Sequence, residues 1–479
     1  MPPLRVLTGA AVILAYQLFF VLRGLSAHFA ADDMMNIYYF WGKGPWRLIQ
    51  NLVLFCSTYQ RPMGGVFYSL LYRFFGLNPL PYHVAITCLI LVNTLLAYRF
   101  AVLVSKSQLI GGLAAFVVAY HPNMAQAVFL PSFVYDVLCF TFYFLAIDYY
   151  LSIRASGRPL RAGQIAGFLL LYVGALESKE MAVTLPAVVL LYEVVWQPAA
   201  AWPPARLIRW ARNQALPGLL AGLLTCVYLL GKVLGPDPVI FHNPAYTPLF
   251  TWTRYMESTV RFFDTVFFVQ VFHHFFTPGK VLIVWALLLG AALWRRDRRL
   301  LWLWLFTVVA PLPICFVPGR NGICLSIPLV AWAVSGAILF VWLCDTVAQT
   351  RLLARVPIQV TRGALILLAL GMLVRVTVRL DRINAPGMRH DGDLTWSVID
   401  QVRTVQPTVP HGSRILFVND VFPMWDTKFI AELTYHDRSV NVWLQHETPL
   451  TPAEAARMDY VFKFESGKLV RLPRGGAFH

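Results

Sequence analysis

The sequence predicts a polytopic α-helical membrane protein with about eleven transmembrane helices and a small C-terminal α/β domain on the outer face. Of its 479 residues, 58% are hydrophobic and 13% are charged, whereas soluble proteins are about half apolar and about a quarter charged. The apolar residues form blocks of about 20, the length that crosses a bilayer as a helix. Short Arg-rich loops alternate with loops that contain acidic residues, which is typical of membrane proteins that follow the positive-inside rule.

The first apolar block runs from Leu4 to Leu22, and the small residues around Ser26 resemble a signal-peptide cleavage region. We interpret the block as a retained anchor, because it is long and an acidic pair follows it at once. Arg5 places the N-terminus in the cytoplasm. The chain is short and has no internal repeats, which favours a bacterial plasma membrane over the endoplasmic reticulum.

The loop charges assign a side to every helix end, and the sides alternate without contradiction. The inner loops contain the Arg clusters Arg154/Arg158/Arg161, Arg206/Arg209/Arg212, Arg295/Arg296/Arg298/Arg299 and Arg351/Arg355/Arg362. The outer segments include two long loops, about residues 24–81 and 235–279, and the last hundred residues. The net charge of +16 follows from these inner loops, and no nucleic-acid-binding motif accompanies it, so no nucleic-acid partner is predicted.

The chain divides into a transmembrane domain, residues 1–381, and an extracytoplasmic α/β domain, residues 382–479. In the second domain, alternating apolar residues predict strands at 414–418 and 440–443, a helix at 425–433 and a hairpin formed by 460–464 and 469–472. The absence of a GxGxxG sequence gives no reason to expect a nucleotide site. The domain is predicted to act in packing or in docking an acceptor.

Asp32 and Asp33 are the first candidates for chemistry, because they follow helix one at the membrane surface. A carboxylate beside a low-dielectric wall has a raised pKa and can act as a general base. Two adjacent carboxylates can divide the roles of base and substrate ligand, and they permit a divalent cation without requiring one. The alternative is that the pair caps a helix.

Four further candidates lie at or near predicted outer turns. Arg61 can bind a phosphate through two hydrogen bonds, or it can anchor the chain at the headgroups. His121 can bind phosphate or cap a helix. Asp136 lies within a membrane helix, where an acid usually faces a cavity or a partner. Arg320 stands alone in the last outer turn and is a candidate phosphate contact.

The turn at residues 177–180 contributes Lys179, which can meet an anionic headgroup, and Glu180, which can hold that lysine in place. The alternative is a surface ion network of little energetic value. Arg254, Glu257 and Arg261 recur at helical spacing in the second outer loop and predict one face of a lid-like helix. Seven cysteines are present without a CxxC motif, and Cys315 and Cys324 flank an outer loop in which they could pair.

These motifs resemble the GT-C superfamily of membrane glycosyltransferases, and within it the protein O-mannosyltransferases and the transmembrane, tetratricopeptide-repeat-containing O-mannosyltransferase family. The matching motifs are the acidic pair Asp32-Asp33, Tyr59-Gln60-Arg61-Pro62, Tyr82-His83, His121-Pro122 with Asp136, and Ser178-Lys179-Glu180. The likeness covers about the first two hundred residues. The chain departs from the family at Gln126, where an acid is expected, and it lacks the tetratricopeptide repeats.

The resemblance implies transfer of a sugar from a polyprenyl-phosphate donor to a hydroxyl of a protein or glycan acceptor, with inversion, on the extracytoplasmic face. It implies that Asp32 is the base, that Asp33 orients the acceptor, and that Lys179, with Arg61 and Arg320, neutralises the departing phosphate. A transporter of lipid-linked sugars and a catalytically degenerate binding protein of the same fold are the alternatives. A transporter should have charges along a passage that reaches the midplane, whereas here they cluster at outer helix ends.

Overall fold

The structure is a computed structural model that describes residues 4–53, 61–196, 204–234, 247–269, 275–350, 356–424, 426–447 and 450–473. Several predictions fall outside these residues, namely those made on Tyr59, Gln60, Arg351, Arg355 and Trp425. The described part of the chain is mainly helical and ends in a small sheet.

Nineteen α-helices are described. In the first half of the chain they are α1 (Leu4–Val21), α2 (Ala31–Val53), α3 (Pro62–Phe75), α4 (Leu80–Ser105), α5 (Gln108–Ala119), α6 (Gln126–Phe129), α7 (Val134–Arg154), α8 (Ala162–Leu176), α9 (Leu185–Trp196), α10 (Pro204–Trp210) and α11 (Leu216–Leu234). In the second half they are α12 (Trp252–Val266), α13 (Pro278–Trp294), α14 (Arg298–Val309), α15 (Leu312–Cys315), α16 (Ser326–Ala348), α17 (Ile358–Val405), α18 (Asp426–Tyr435) and α19 (Pro452–Ala455).

The prediction of a polytopic helical bundle is confirmed. Each of the eleven predicted membrane helices has a counterpart, namely α1, α4, α5, α7, α8, α9, α11, α13, α14, α16 and α17. Among the described residues, seven helical stretches are long and apolar enough to cross a membrane, and three shorter apolar helices accompany them. Because a helix satisfies its own backbone hydrogen bonds, it is the element that such apolar segments form in lipid.

The bundle has a packed interior and an apolar exterior. Large aromatic side chains fill its core, among them Phe100, Phe144 and Trp302. Leucines such as Leu170 and Leu367 are instead exposed on the outside of their helices. A water-soluble helix would bury that face or make it polar, so these surfaces are suited to contact with lipid.

The segments predicted as long outer loops contain helices of their own. The first has α2, which is kinked at Gly44 where φ is 70°, and α3, which begins at Pro62. The second has α12, which confirms the helical spacing seen in the sequence. Its Arg254 lies 3.8 Å from Glu257 and donates to the Val317 carbonyl, so α12 is fastened to the bundle.

The last membrane helix continues far beyond residue 381, where the transmembrane domain is predicted to end. At a rise of about 1.5 Å per residue, the 48 residues of α17 span about 72 Å. The charges that end the apolar run are accommodated, because Asp381 forms a 2.6 Å ion pair with Arg23 and accepts a hydrogen bond from Tyr120. The predicted domain boundary at 381/382 therefore lies inside one continuous helix.

The C-terminal α/β prediction is confirmed from residue 414 onward. The strands β1 (Arg414–Val418), β2 (Asn441–Leu444), β3 (Tyr460–Glu465) and β4 (Lys468–Leu472) form a sheet of order β2-β1-β3-β4. β1 is parallel to β2 and β3, whereas β3 and β4 form the predicted antiparallel hairpin. Its turn residues Ser466 and Gly467 both have positive φ, as a two-residue hairpin turn of type I′ requires.

The C-terminal domain packs against the helices of the first outer segment. Tyr72 of α3 is 2.9 Å from Nδ1 of His436, and Arg438 donates to the Gly42 carbonyl at 2.9 Å. The Arg438 guanidinium also lies 5.2 Å from the ring centroid of Trp41. These contacts bring the domain next to the start of α2, where the acidic pair is found.

Candidate functional site

Asp33 occupies a structural position at the start of α2. It is the third residue of the helix, is fully buried, and accepts a 2.7 Å hydrogen bond from the Ala30 amide through Oδ2. This is the return bond of a capping box, which satisfies an amide that the helix leaves free. Burial raises the pKa of Asp33 to about 8, even though the Ala30 amide lowers it. The capping alternative therefore describes Asp33 well.

Asp32 has a different environment, because successive helix residues point about 100° apart. Its side chain is exposed. Partial desolvation by the surrounding protein raises the pKa of Asp32, and Asp391 of α17 raises that pKa further, whereas Arg320 lowers it. Asp32 is therefore the member of the pair that is open to a substrate, and Arg320 lies within electrostatic range of it.

Two hydrogen bonds and one cation–π contact connect the main chain of Asp32 to Arg61. The Asn36 amide donates to the Asp32 carbonyl at 2.7 Å, and the Tyr135 hydroxyl donates to Asn36 Oδ1 at 2.6 Å. The Arg61 guanidinium lies 5.2 Å from the centroid of the Tyr135 ring, in a cation–π arrangement. Neither Asn36 nor Tyr135 was singled out in the sequence, since a buried Tyr beside an acid gives no signal of its own.

Arg61 pairs with Glu180 through two contacts, Nε to Oε1 at 3.3 Å and Nη2 to Oε2 at 2.8 Å. Two such bonds fix a guanidinium in one plane. Lys232 Nζ approaches Glu180 Oε1 at 3.7 Å from another helix. Burial alone would raise the pKa of Glu180, but Arg61 and Lys232 outweigh it and hold that pKa below its ordinary value.

Lys179 pairs with Asp136, and its Nζ lies 2.6 Å from both carboxylate oxygens. The same ammonium is 3.5 Å from Sγ of Cys324, in the segment that follows the Arg320 turn. Burial would lower the pKa of Lys179, but the Asp136 carboxylate reverses this and the pKa is raised. Lys179 therefore stays charged at neutral pH, and Asp136 is the partner that the sequence left unassigned.

His121 binds within the bundle rather than at the ion-pair cluster. It is buried, its Nε2 is 3.2 Å from the Val266 carbonyl oxygen, and its ring lies 4.0 Å from that of Phe268. Burial lowers the pKa of His121 to about 4, so the ring is neutral at pH 7 and Nε2 donates to the carbonyl. These contacts fit fastening of α12 better than the predicted binding of phosphate.

Gln126, the residue that departs from the family pattern, supports the Arg320 turn. Its Oε1 accepts from the Ile323 amide at 3.1 Å. A Cβ on Gly322, where φ is +64°, would come within 2.3 Å of Gln126 Nε2. The neutral side chain of Gln126 therefore holds this turn at close range.

A small cavity borders the site, and a larger groove lies along α12. The cavity of about 80 Å³ is lined by His121, Asp136, Asn93, Thr94 and Ser326 among other residues, and it has room for water but not for a lipid. The groove of about 490 Å³ runs along α12 and α13, with Trp252, Met256 and Arg261 in its wall. The apolar lining of this groove suits a hydrocarbon chain.

Neither a disulfide nor a metal cluster is seen in the part of the chain that the structure describes. Cys315 and Cys324 are both free thiols, so the pairing considered from the sequence is wrong. In the described ranges, no group of three or more His, Cys, Asp or Glu side chains is arranged to hold a metal ion. Asp33 Oδ2 is already bound by the Ala30 amide, which leaves the acidic pair poorly arranged for a shared cation.

Comparison with known proteins finds a likeness in structure but none in sequence. No protein-family model and no curated protein matches the sequence. The crystal structure of ArnT from Cupriavidus metallidurans bound to undecaprenyl phosphate is similar over 92% of this chain and 85% of that one, with a TM-score of 0.48 and 13% sequence identity.

Proposed function

We propose that this chain is a membrane glycosyltransferase of the GT-C type that moves a sugar from a polyprenyl-phosphate donor to an acceptor hydroxyl at the extracytoplasmic face. One observation carries the proposal. The exposed carboxylate of Asp32 lies one helical turn before Asn36, and Tyr135 connects Asn36 to Arg61 in a partly buried cluster of cations. Such a pairing of a base with an anion site is what transfer from a phosphate leaving group requires.

The cations would bind the donor phosphate and stabilise the charge that it gains when it leaves. Lys179 and Arg61 are held by Asp136 and Glu180, so they are preorganised and need no reorientation during the reaction. Arg320 lies within electrostatic range of Asp32 and of the segment that contains Cys324. It is therefore suited to a position between the acceptor and the donor phosphate.

Asp32 would act as the general base. It would take the proton of the acceptor hydroxyl while the hydroxyl oxygen forms a bond to the anomeric carbon of the sugar. The bond from that carbon to the phosphate oxygen breaks on the opposite side, which inverts the configuration and releases the polyprenyl phosphate. The raised pKa of Asp32 supports this role, because it makes the carboxylate a better proton acceptor. Asp33 would set the start of α2 and thereby position Asp32.

The α/β domain is suited to help select a protein or glycan acceptor. The α17 residue Asp391 lies within electrostatic range of Asp32, as does Asp426 at the start of α18. The domain is thus next to the proposed base rather than at a distance from it. Its contacts with α2 and α3 through His436 and Arg438 would keep that arrangement fixed.

A donor screen tests the proposal. The purified chain in liposomes would be given polyprenyl phosphates that carry different labelled sugars, and release of polyprenyl phosphate would be measured. We expect turnover of at least one donor by the unmodified chain and by Asp400→Asn, a matched control at an exposed acid of α17. Asp32→Asn should show none. Equal turnover by Asp32→Asn would contradict the assignment of the base.

A further inference from the structure

Lys232 is a buried cation beside the proposed phosphate site. It lies in the last turn of α11, where a lysine would ordinarily extend toward the lipid headgroups. Here it is only 3% exposed and turns inward, 4.9 Å from the Tyr228 ring centroid and 3.7 Å from Glu180 Oε1. The ion pair is long, and Glu180 already makes two contacts with Arg61. Lys232 is thus only partly neutralised by Glu180.

The cluster around Lys232 has more cations than carboxylate partners. Its cations are Arg61, Lys179 and Lys232, and their ion-pair partners are Asp136 and Glu180. Two carboxylates neutralise two of the three cations, so one positive charge of this cluster is not neutralised. A buried charge without a counter-charge is costly, and an anionic ligand would remove that cost.

Glu177 does not supply the missing negative charge at neutral pH. It is 2% exposed, and its Oε1 has no hydrogen-bond partner among the described residues. Burial raises the pKa of Glu177 to about 8, although Lys232 lowers it. The Glu177 carbonyl accepts from the Met63 amide, so this acid lies against the start of α3, close to Arg61.

We propose that Lys232 is a further phosphate-binding residue, and that with Arg61 and Lys179 it encloses the single phosphate of a polyprenyl-phosphate ligand. This inference rests on the proposed function and deepens it, because it assigns the anion site to three separate elements. A diester donor has one negative charge, which matches the one unneutralised cation. The product monoester has about 1.5 to 2 negative charges, so it should bind more tightly than the donor.

The test measures the Kd of undecaprenyl phosphate for the purified full chain in detergent at pH 7, with undecaprenol as the uncharged probe. We expect Lys232→Met to raise the Kd of the phosphate about 10- to 100-fold, as loss of a charged hydrogen bond does, and to leave undecaprenol binding unchanged. Lys232→Arg should stay within about threefold. Lys280→Met, at an exposed lysine in the first turn of α13, should have no effect. An unchanged Kd for folded Lys232→Met would overturn the inference.

Arg61→Gln and Lys179→Met separate this inference from the proposed function. If both variants raise the Kd and Lys232→Met does not, only the role of Lys232 fails. If none of the three variants changes the Kd, the phosphate site itself fails. A purely structural role of Lys232 would lower the melting temperature without changing the ratio of the two Kd values.

A second measurement does not depend on the folding of a Lys232 variant. Lys232 and Tyr228 of α11 lie within electrostatic range of Glu177, and Lys232 is also within range of Arg61 before α3 and of Glu180 in the turn of Glu177. As pH rises from 7 to 9, Glu177 should ionise, neutralise Lys232 and raise the Kd about tenfold. Glu177→Gln should lower this pH dependence, since it keeps the side chain uncharged. If the Kd of Glu177→Gln rose with pH as much as the Kd of the unmodified chain, the proposed charge balance would be overturned.

Discussion

Replacing Asp32 and Asp33 by asparagine, one at a time, should separate two functions that are adjacent in sequence. Asp32→Asn removes the exposed carboxylate but keeps its shape. Asp33→Asn keeps an oxygen that can accept the 2.7 Å hydrogen bond from the Ala30 amide, and it is uncharged, as burial favours for the Asp33 side chain. We therefore expect the first variant to lose activity and the second to retain it.

The magnitudes follow from the two environments. Loss of a general base costs about 100-fold or more in rate, which corresponds to about 2.7 kcal/mol of transition-state stabilisation. Asp33→Asn should change the transfer rate by no more than a few-fold. Asp33→Ala, in contrast, loses the cap and leaves the Ala30 amide without its acceptor, which should cost about 1–2 kcal/mol of stability.

The assay is the initial rate of sugar transfer in liposomes, together with thermal unfolding of each variant. Asp32→Asn should unfold at the temperature of the unmodified chain while its rate falls. If Asp33→Asn were inactive and Asp32→Asn active, with both folded, the division of roles derived from exposure and from the Ala30 bond would be refuted.

Three further predictions concern stability and the ion pairs. Burial raises the pKa of Asp33 from 3.8 to about 8, so the stabilisation of the folded state by the protonated Asp33 side chain is complete below pH 4 and is lost as pH rises through 8. In chemical denaturation, Asp33→Asn should therefore gain stability relative to the unmodified chain over this pH range. Arg61→Lys should lower the initial rate about tenfold, since one ammonium cannot keep both contacts with Glu180, and an unchanged rate would contradict preorganisation by this pair. Tyr72→Phe should cost about 1 kcal/mol in thermal unfolding by removing the bond to His436, with transfer largely retained.

The membrane helices could be predicted because apolar length and loop charge are local properties of the sequence. The helix α18, for example, lies within two residues of its expected bounds, 425–433. The sequence predicts that the transmembrane domain ends at residue 381, because Asp381 and Arg382 interrupt the apolar run. The helix α17 continues because Asp381 is neutralised by Arg23, a residue 358 positions away, and no local pattern reports such a pairing.

The sequence could predict which residues form the candidate site, but not which of them form ion pairs with one another. The motifs identified Arg61, Lys179 and Glu180, yet they could not show that Lys179 pairs with Asp136 while Arg61 pairs with Glu180. Those pairs join helices that are distant in sequence.

Lys232 was missed for a related physical reason. A lysine at the end of a membrane helix usually extends to the headgroups, and only the packing of α11 against its neighbours turns this one inward. His121 illustrates the opposite case. Its motif suggested a phosphate-binding residue, whereas its buried position and its contact with the Val266 carbonyl favour a structural role.

An experimental structure of the chain with bound undecaprenyl phosphate would test the central claim most directly. We predict that the phosphate oxygens lie at charge-assisted hydrogen-bond distance, about 2.7–2.9 Å, from the side-chain nitrogens of Arg61, Lys179 or Lys232, with Asp32 on the open side of the site. A phosphate bound at the other end of the bundle, near the Arg295–Arg299 cluster, or without contact to any of these three cations would contradict it.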